Sequence, residues 1–390
     1  MVFIKVLKDW ILNNEPTDYP KISIYSTSSK LALSVSSTAS VWGKCFCMLM
    51  FILLNLKYLF RLLDISLDSV SDLNFYLIIG ASFENCLHIF FYSKYNHTFL
   101  KQIEKHWNEL QIDLDNETRK YFWTRKVIYY LLYTSSIVFS FIYDIENNIR
   151  TWPYSDADQS THKSIYMKNS IHYWTKFIRF LTVYPYIFLE AFILFDLLVL
   201  SQTALKYIDL QLNRLYKASK TNERLNINVV HDLRLKYFLT HRLVNKMNEY
   251  VSPCLLFHCI IFLNLFVYIL YFGLFVQQSL VRRLYLTIGY FAMIMNLFLI
   301  IYATVNVYTK SQDVLAMVYK LSFKADYSAI KNEISLFLNY DGIGFSLGGI
   351  IMITTASIST LFSFLLTIII AIPSFDGSNH SSVNITSNKN

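Results

Sequence analysis

Charge is scarce in this sequence. Of its 390 residues, 16 % are Asp, Glu, Lys or Arg, whereas a soluble domain carries about 25 %, so an ordinary water-surrounded globule is excluded. Glycine (9 residues) and proline (6) are rare, which removes collagen-like and low-complexity readings. The cysteines, Cys45, Cys47, Cys86, Cys254 and Cys259, all fall in or beside apolar runs. None sits in a loop facing an oxidising lumen, so no structural disulfide is expected. The one-residue spacing of Cys45 and Cys47 is not that of a zinc site. His-Glu-x-x-His, a phosphate-binding glycine loop and Gly-x-Ser-x-Gly are all missing; neither enzyme activity nor a metal or cofactor is expected. No aromatic-basic repeat of the RNA-module kind occurs, so nucleic acid is not an expected partner. The first residues, MVFIKVLKDWILNN, have too short an apolar core for a cleavable signal peptide, and it breaks at Lys8 and Asp9.

Apolar surface is what the chain has in excess: 54 % hydrophobic and 17 % aromatic residues. A bilayer crossing takes about 20 apolar residues, and seven runs qualify: 40–60, 72–93, 126–145, 171–201, 251–277, 284–308 and 343–372. The fold class expected is an all-α membrane protein with seven transmembrane helices. Lys and Arg set its direction. The N-terminal segment and the loops 94–126, 202–250 and 309–342 hold 25 of the 35, against 8 on the other side. That bias places the N-terminus in the cytoplasm and the C-terminus outside. The net charge of +8 is then mostly positive-inside bias. Two sequons, at Asn379 and Asn384, lie in the outer tail and are glycosylation candidates. Two more, at Asn96 and Asn116, lie in a cytoplasmic loop and are expected to stay bare.

The cytoplasmic loops carry helical periodicity. Apolar residues recur at Leu205, Ile208, Leu212 and Leu215, and again at Leu235, Phe238 or Leu239, Val244 and Met247, with polar residues between. The segment SKTNERLNINVV reads as the turn between two helices, so the fourth and fifth spans are expected to continue into the cytoplasm as an antiparallel pair. A third such piece, 313–340, precedes the last span. Apolar stripes need partners, so a packed intracellular helical layer is expected, with a peripheral membrane helix as the alternative.

In the last span Thr355, Ser359, Ser363 and Thr367 recur every four residues, one slowly drifting hydroxyl stripe on a helix. Such a stripe suits water in a pore. It equally suits hydroxyls bonded to their own i−4 carbonyls or packed between helices. The same stretch carries a family resemblance. Phe345 to Leu347 reads FSL, and Thr360 to Ile369 reads TLFSFLLTII. These resemble the insect gustatory receptor family, whose last span has an upstream Phe-Ser-Leu-like stretch. It then carries Thr-Tyr, five mostly apolar residues and Gln-Phe. Leu361 and Phe362 stand at the Thr-Tyr positions, and Ile368 and Ile369 at Gln-Phe. NEYVSPCLLFHCIIF, from Asn248, is similar to the family's entry to the fifth span. The resemblance implies a tastant-gated, non-selective cation channel in the plasma membrane of a sensory neuron, a homotetramer or a heteromer with related receptors. It implies a cytoplasmic segment 1–39, a ligand-binding bundle 40–308 with an anchor layer of cytoplasmic extensions, and an anchor helix in 309–342. A pore-lining helix 343–372 carrying Thr355, Ser359, Phe362, Ser363 and Thr367, and an extracellular tail 373–390, complete the division. A metabotropic seven-helix receptor and a polytopic transporter are the alternatives; no convincing internal repeat supports the latter.

Ionisable residues at mid-membrane cost about 2.5–3.5 kcal/mol and face the protein interior. Glu84 and Glu190 lie near mid-span in helices running the same way and are placed to border a cavity. Asp196 and His88 lie near inner ends, where such intramembrane polar groups are expected to bond one another or to sit protonated against backbone. Ligand pockets are mostly apolar with a few placed polar groups, which makes Glu190, Tyr186, Tyr133, Tyr268 and Tyr290 the pocket candidates, with Glu84.

Overall fold

The computed structural model describes residues 19–35, 41–45, 48, 49, 52, 95–112, 115–150, 162–220, 225–275, 280–325, 327–360, 363 and 367. Side chains at 140–150, 162–188, 220, 261–275, 280–290, 292 and 293 fall outside that description. Its helices are α1 (Thr27–Val35), α2 (His97–Leu110), α3 (Asn116–Arg150), α4 (His162–Lys220), α5 (Ile227–Phe275), α6 (Leu280–Ser322) and α7 (Ser328–Leu338). A two-stranded hairpin follows, β1 (Ser346–Leu347) and β2 (Ile351–Met352). A last helical stretch begins at 355.

The predicted third, fourth and sixth crossings lie within α3, α4 and α6, and the fifth lies within α5 apart from 276 and 277. Each of these helices runs well beyond its apolar run. Most of the first run and all of the second lie outside the described residues. Three expectations are corrected. The piece 313–340 is not one separate helix: α6 carries the sixth run on to Ser322, and α7 starts anew at Ser328. Helix propagation costs little once a turn exists, and no glycine or proline interrupts 309–322. Pro253, at the third position of the predicted fifth run, stands not at a helix start but inside α5. Residues 343–354 are not helical, because Gly348 and Gly349 form a turn there.

α4 is the central element. From Ile193 to Leu205 every residue is buried, the signature of a helix enclosed on all sides. Leu189–Ser219 is also the stretch, among the described residues, long and apolar enough to cross a membrane, at mean hydropathy 1.5. α3, α5 and α6 pack around it. Buried Gln202 ties three of the four together: its amide donates to Ala303 O of α6 at 2.7 Å, and its oxygen accepts from Tyr121 of α3 at 3.4 Å. α2 lies on α5. Its start is fixed by Asn96, whose side chain accepts from Phe99 N at 2.9 Å, one of the amides a helix leaves orphaned. The sequon asparagine at 116 is engaged too, with Asn116 Oδ1 accepting from Tyr19 N at 2.9 Å.

Candidate functional site

The segment that leads from α7 into the last helix is held against one face of α5. Tyr237, Asn248 and Ser252 are spaced by 11 and 4 residues, so they share that face over about 22 Å. At the lower end a directed chain of hydrogen bonds runs through buried hydroxyls. Ile343 N donates to Ser311 Oγ of α6 at 2.6 Å, Ser311 pairs with the Tyr237 hydroxyl at 2.7 Å, and Tyr237 donates to Asp341 O at 3.1 Å. Burial pushes the Tyr237 phenol up to about 12, so it acts as a neutral donor. Its ring packs on Phe337 and Tyr340, with centroids 5.2 and 6.0 Å away.

Eleven residues along α5, Asn248 grips Ser346 at both ends. Its amide donates to Ser346 Oγ at 2.9 Å, and its oxygen accepts from Ser346 N at 3.1 Å. Ser252 then receives the turn, with Gly349 N on its hydroxyl at 2.7 Å and Gly348 N on its carbonyl at 3.2 Å. Pro253 stands next in line and lacks an amide hydrogen. The turn itself closes by Ile350 N donating to Leu347 O at 3.1 Å. Both central residues are left-handed, Gly348 at φ 61° and Gly349 at φ 78°, as a type I′ turn requires. A Cβ at Gly348 would stand 2.7 Å from Leu256 Cδ2 of α5. Two stretches singled out separately in the sequence, FSL and NEYVSP, therefore meet in one network.

Beyond the hairpin, Thr354 and Ser357 cap the last helix reciprocally. Ser357 N donates to Thr354 Oγ1 at 3.1 Å, and Thr354 N donates to Ser357 Oγ at 2.7 Å. This is a capping box with serine in the place of Glu; the Thr-x-x-Ser spacing was its sequence signal. Thr355, Ser359, Ser363 and Thr367 are all helical and all exposed on the single chain. Ser363 Oγ donates to Ser359 O at 3.0 Å and Thr367 Oγ1 to Ser363 O at 2.9 Å. The i−4 bonding expected as the alternative use of these hydroxyls is present, and so is an exposed stripe. The two coexist because a hydroxyl has one proton but two lone pairs. Phe362 lies outside the described residues.

Of the pocket candidates, Glu190 and Tyr133 are brought together. Both are buried, at 2 % and 3 % exposure, and they are close enough to interact electrostatically. The Tyr133 ring meets Phe195 edge-on at 5.5 Å and Phe192 at 6.2 Å. The side chains of Tyr186, Tyr268 and Tyr290 lie outside the described residues, as do Glu84, His88, Asn379 and Asn384. Elsewhere, an open cleft of about 440 Å³ lies between α2 and α5, bordered by Asn96, Gln102, Lys246, Glu249 and Tyr250. No pocket candidate borders it, and the Lys246–Glu249 ion pair occupies its rim.

A polar centre whose partners sequence reasoning missed sits midway along α4, at Asp196. Asp196 forms a buried ion pair with Lys126 of α3, each side chain 6 % exposed. It also accepts from Tyr130 at 2.9 Å and from Ser26 at 2.6 Å. Ser26 simultaneously caps α1, accepting from Ser29 N at 3.0 Å. The Lys126 ammonium lies 5.1 Å from the Tyr130 ring centroid and 5.7 Å from that of Phe122, within cation–π range. Asp196 thus has a cationic partner rather than backbone. Lys126 reads in the sequence as one more positive-inside charge, which hides its role.

No family model matches the chain, and no curated protein matches it. Among solved structures it is similar to the insect olfactory receptor OR5 from Machilis hrabei, with a TM-score of 0.61. The match covers 95 % of this chain and 99 % of that one, at 9 % sequence identity. The chain therefore shares the fold of that receptor over almost its full length.

Proposed function

We propose that this chain is a subunit of a ligand-gated, non-selective cation channel of the insect chemoreceptor type, and specifically a gustatory receptor opened by a small-molecule tastant. In this reading four subunits, alike or mixed, surround one pore in the plasma membrane of a sensory neuron, and the last helix of each lines it. The fold likeness supports the receptor class; the FSL and TLFSFLLTII stretches favour the gustatory branch.

The observation that carries the reading is the join between α5 and the last helix. Movement of α5 reaches the pore helix through Asn248, Ser252 and the hairpin rather than through a slack linker. A ligand settling among the outer parts of α3 to α6, with Glu190 and Tyr133 at its inner border, shifts α5 and pulls the hairpin. Water then enters along the hydroxyl stripe. Because Ser363 and Thr367 spend their protons on i−4 carbonyls, they turn lone pairs to the stripe's open side. An acceptor-only lining favours cations.

The test is expression of the full chain alone, with currents recorded against a panel of sugars and bitter compounds. Ser359→Leu with Ser363→Leu is expected to abolish the evoked current, or change its cation permeability, at unchanged surface expression. Unchanged current and selectivity would overturn the pore assignment. A response that vanishes when G-protein signalling is blocked would favour a metabotropic receptor, and an extracellular N-terminal tag would overturn the topology.

A further inference from the structure

Three cations from three different helices converge where α3, α4 and α6 meet their predicted cytoplasmic ends. The Arg125 guanidinium of α3 lies 5.5 Å from the Tyr121 ring centroid, and the Lys310 ammonium of α6 lies 4.9 Å from the same ring. Lys206 of α4 is near enough to act on Lys310, and burial together with Lys206 and Arg125 lowers the Lys310 pKa, against the opposing pull of Asp209 and Asp313. Lys206 is held by Asp209 at 2.8 Å. Among the described residues, neither Arg125 nor Lys310 forms a salt bridge. A fold that brings like charges together at half-buried positions leaves them wanting an anion.

The surface outward from this cluster is apolar. Phe291, Met295, Phe298 and Tyr302 of α6 are exposed, at 61 %, 43 %, 50 % and 46 %. Their spacing of 4, 3 and 4 residues puts them on one stripe. Tyr302 closes the stripe at the cationic end, within hydrogen-bonding reach of Arg125. From Phe291 to Tyr302 the stripe measures about 16 Å at 1.5 Å per residue, close to half of a bilayer core of about 30 Å. It has the length of one leaflet.

We propose that Arg125, Lys310 and the α6 stripe form a binding site for an anionic phospholipid of the cytoplasmic leaflet, its phosphate headgroup on the two cations and one acyl chain along Phe298, Met295 and Phe291. Charge complementarity selects the headgroup, and the continuous apolar stripe selects a lipid over a free phosphate. The proposal rests on the cytoplasmic placement of these helix ends, which terminal tags test separately.

The experiment uses the purified full chain in detergent micelles with phosphatidylinositol 4,5-bisphosphate carrying a fluorescent acyl tag. Phosphatidylcholine and free inositol 1,4,5-trisphosphate serve as competitors. Saturable binding is expected, displaced by the unlabelled anionic lipid and far less by phosphatidylcholine or the free headgroup. Arg125→Gln with Lys310→Gln should weaken it about thirty-fold, or about 2 kcal/mol for two charges near a membrane surface. Arg125→Lys, which keeps the charge, should retain binding, and so should the remote pair Lys101→Gln with Lys105→Gln. Equal binding by the double Gln variant overturns the proposal, as does a free headgroup that competes as well as the lipid. Phe298→Gln should weaken the long-chain lipid. If it instead splits an oligomer and leaves lipid binding intact, the stripe belongs to a second copy of the chain and the lipid assignment fails.

Discussion

Replacing Asn248 by alanine separates the hairpin from α5 at its best-defined point. Two hydrogen bonds disappear, at 2.9 and 3.1 Å, each with a net worth of about 1 kcal/mol. The partly buried Ser346 N–H is also left without its acceptor, which costs up to about 1 kcal/mol more. A loss of about 2–3 kcal/mol multiplies the undocked fraction of the hairpin by about 30- to 150-fold, at 1.4 kcal/mol per decade. Hydrogen exchange on the intact chain reads this directly, because local opening sets the protection of these amides. The amides of Ser346, Gly348 and Gly349 should exchange faster by that factor, while those of α4 stay unchanged. If the protein is a channel gated through this join, the same variant also shifts its response to ligand. Asn248→Asp keeps an acceptor for Ser346 N but loses the donor to Ser346 Oγ, whose own proton goes to Ser252 Oγ at 3.1 Å, so only part of the protection should return. Unaltered exchange at all three amides in Asn248→Ala would refute the docking argument.

The two turn glycines should differ. Gly348→Ala meets both a left-handed φ and Leu256 at 2.7 Å, whereas Gly349→Ala meets the φ alone in open space. At about 1–2 kcal/mol for a non-glycine residue in that region, Gly349→Ala should raise hairpin exchange about tenfold and Gly348→Ala distinctly more; equal effects would show that the Leu256 contact does not matter. Asp196→Asn should lower thermal stability sharply, by about 3–5 kcal/mol, because it leaves the Lys126 charge buried and unpaired. Asp196→Asn with Lys126→Met should recover most of that loss in the same melting experiment.

Much of the helical framework was legible. Runs such as 171–201 are predominantly apolar despite Lys176, Arg179, Glu190 and Asp196, and a long apolar run without glycine has few other ways to satisfy its backbone. The amphipathic spacing of Leu205, Ile208 and Leu212 likewise foretold that α4 continues past its apolar run, and all three are buried. The error at 343–354 has a physical cause. GFSLGGIIMIT is apolar enough to pass as the start of a span, and apolarity does not distinguish a short hairpin from a helix. The adjacent glycines Gly348 and Gly349, and the Thr354–Ser357 box, were the local evidence against a continuous helix.

The candidate site was legible only as fragments. FSL and NEYVSP were each visible, yet the bond between Asn248 and Ser346 spans 98 residues of sequence, and no local pattern encodes such a distance. Lys126 and Asp196 are 70 positions apart and read separately as a loop charge and a stray acid. Composition and periodicity determine by themselves that the chain is a bundle of long helices, because each depends on nearest neighbours along the backbone. Which polar groups meet was decided by tertiary structure alone. In a low-dielectric interior a buried donor, acceptor or charge must find its partner wherever packing brings one, and packing sets α5 against the hairpin and α3 against α4.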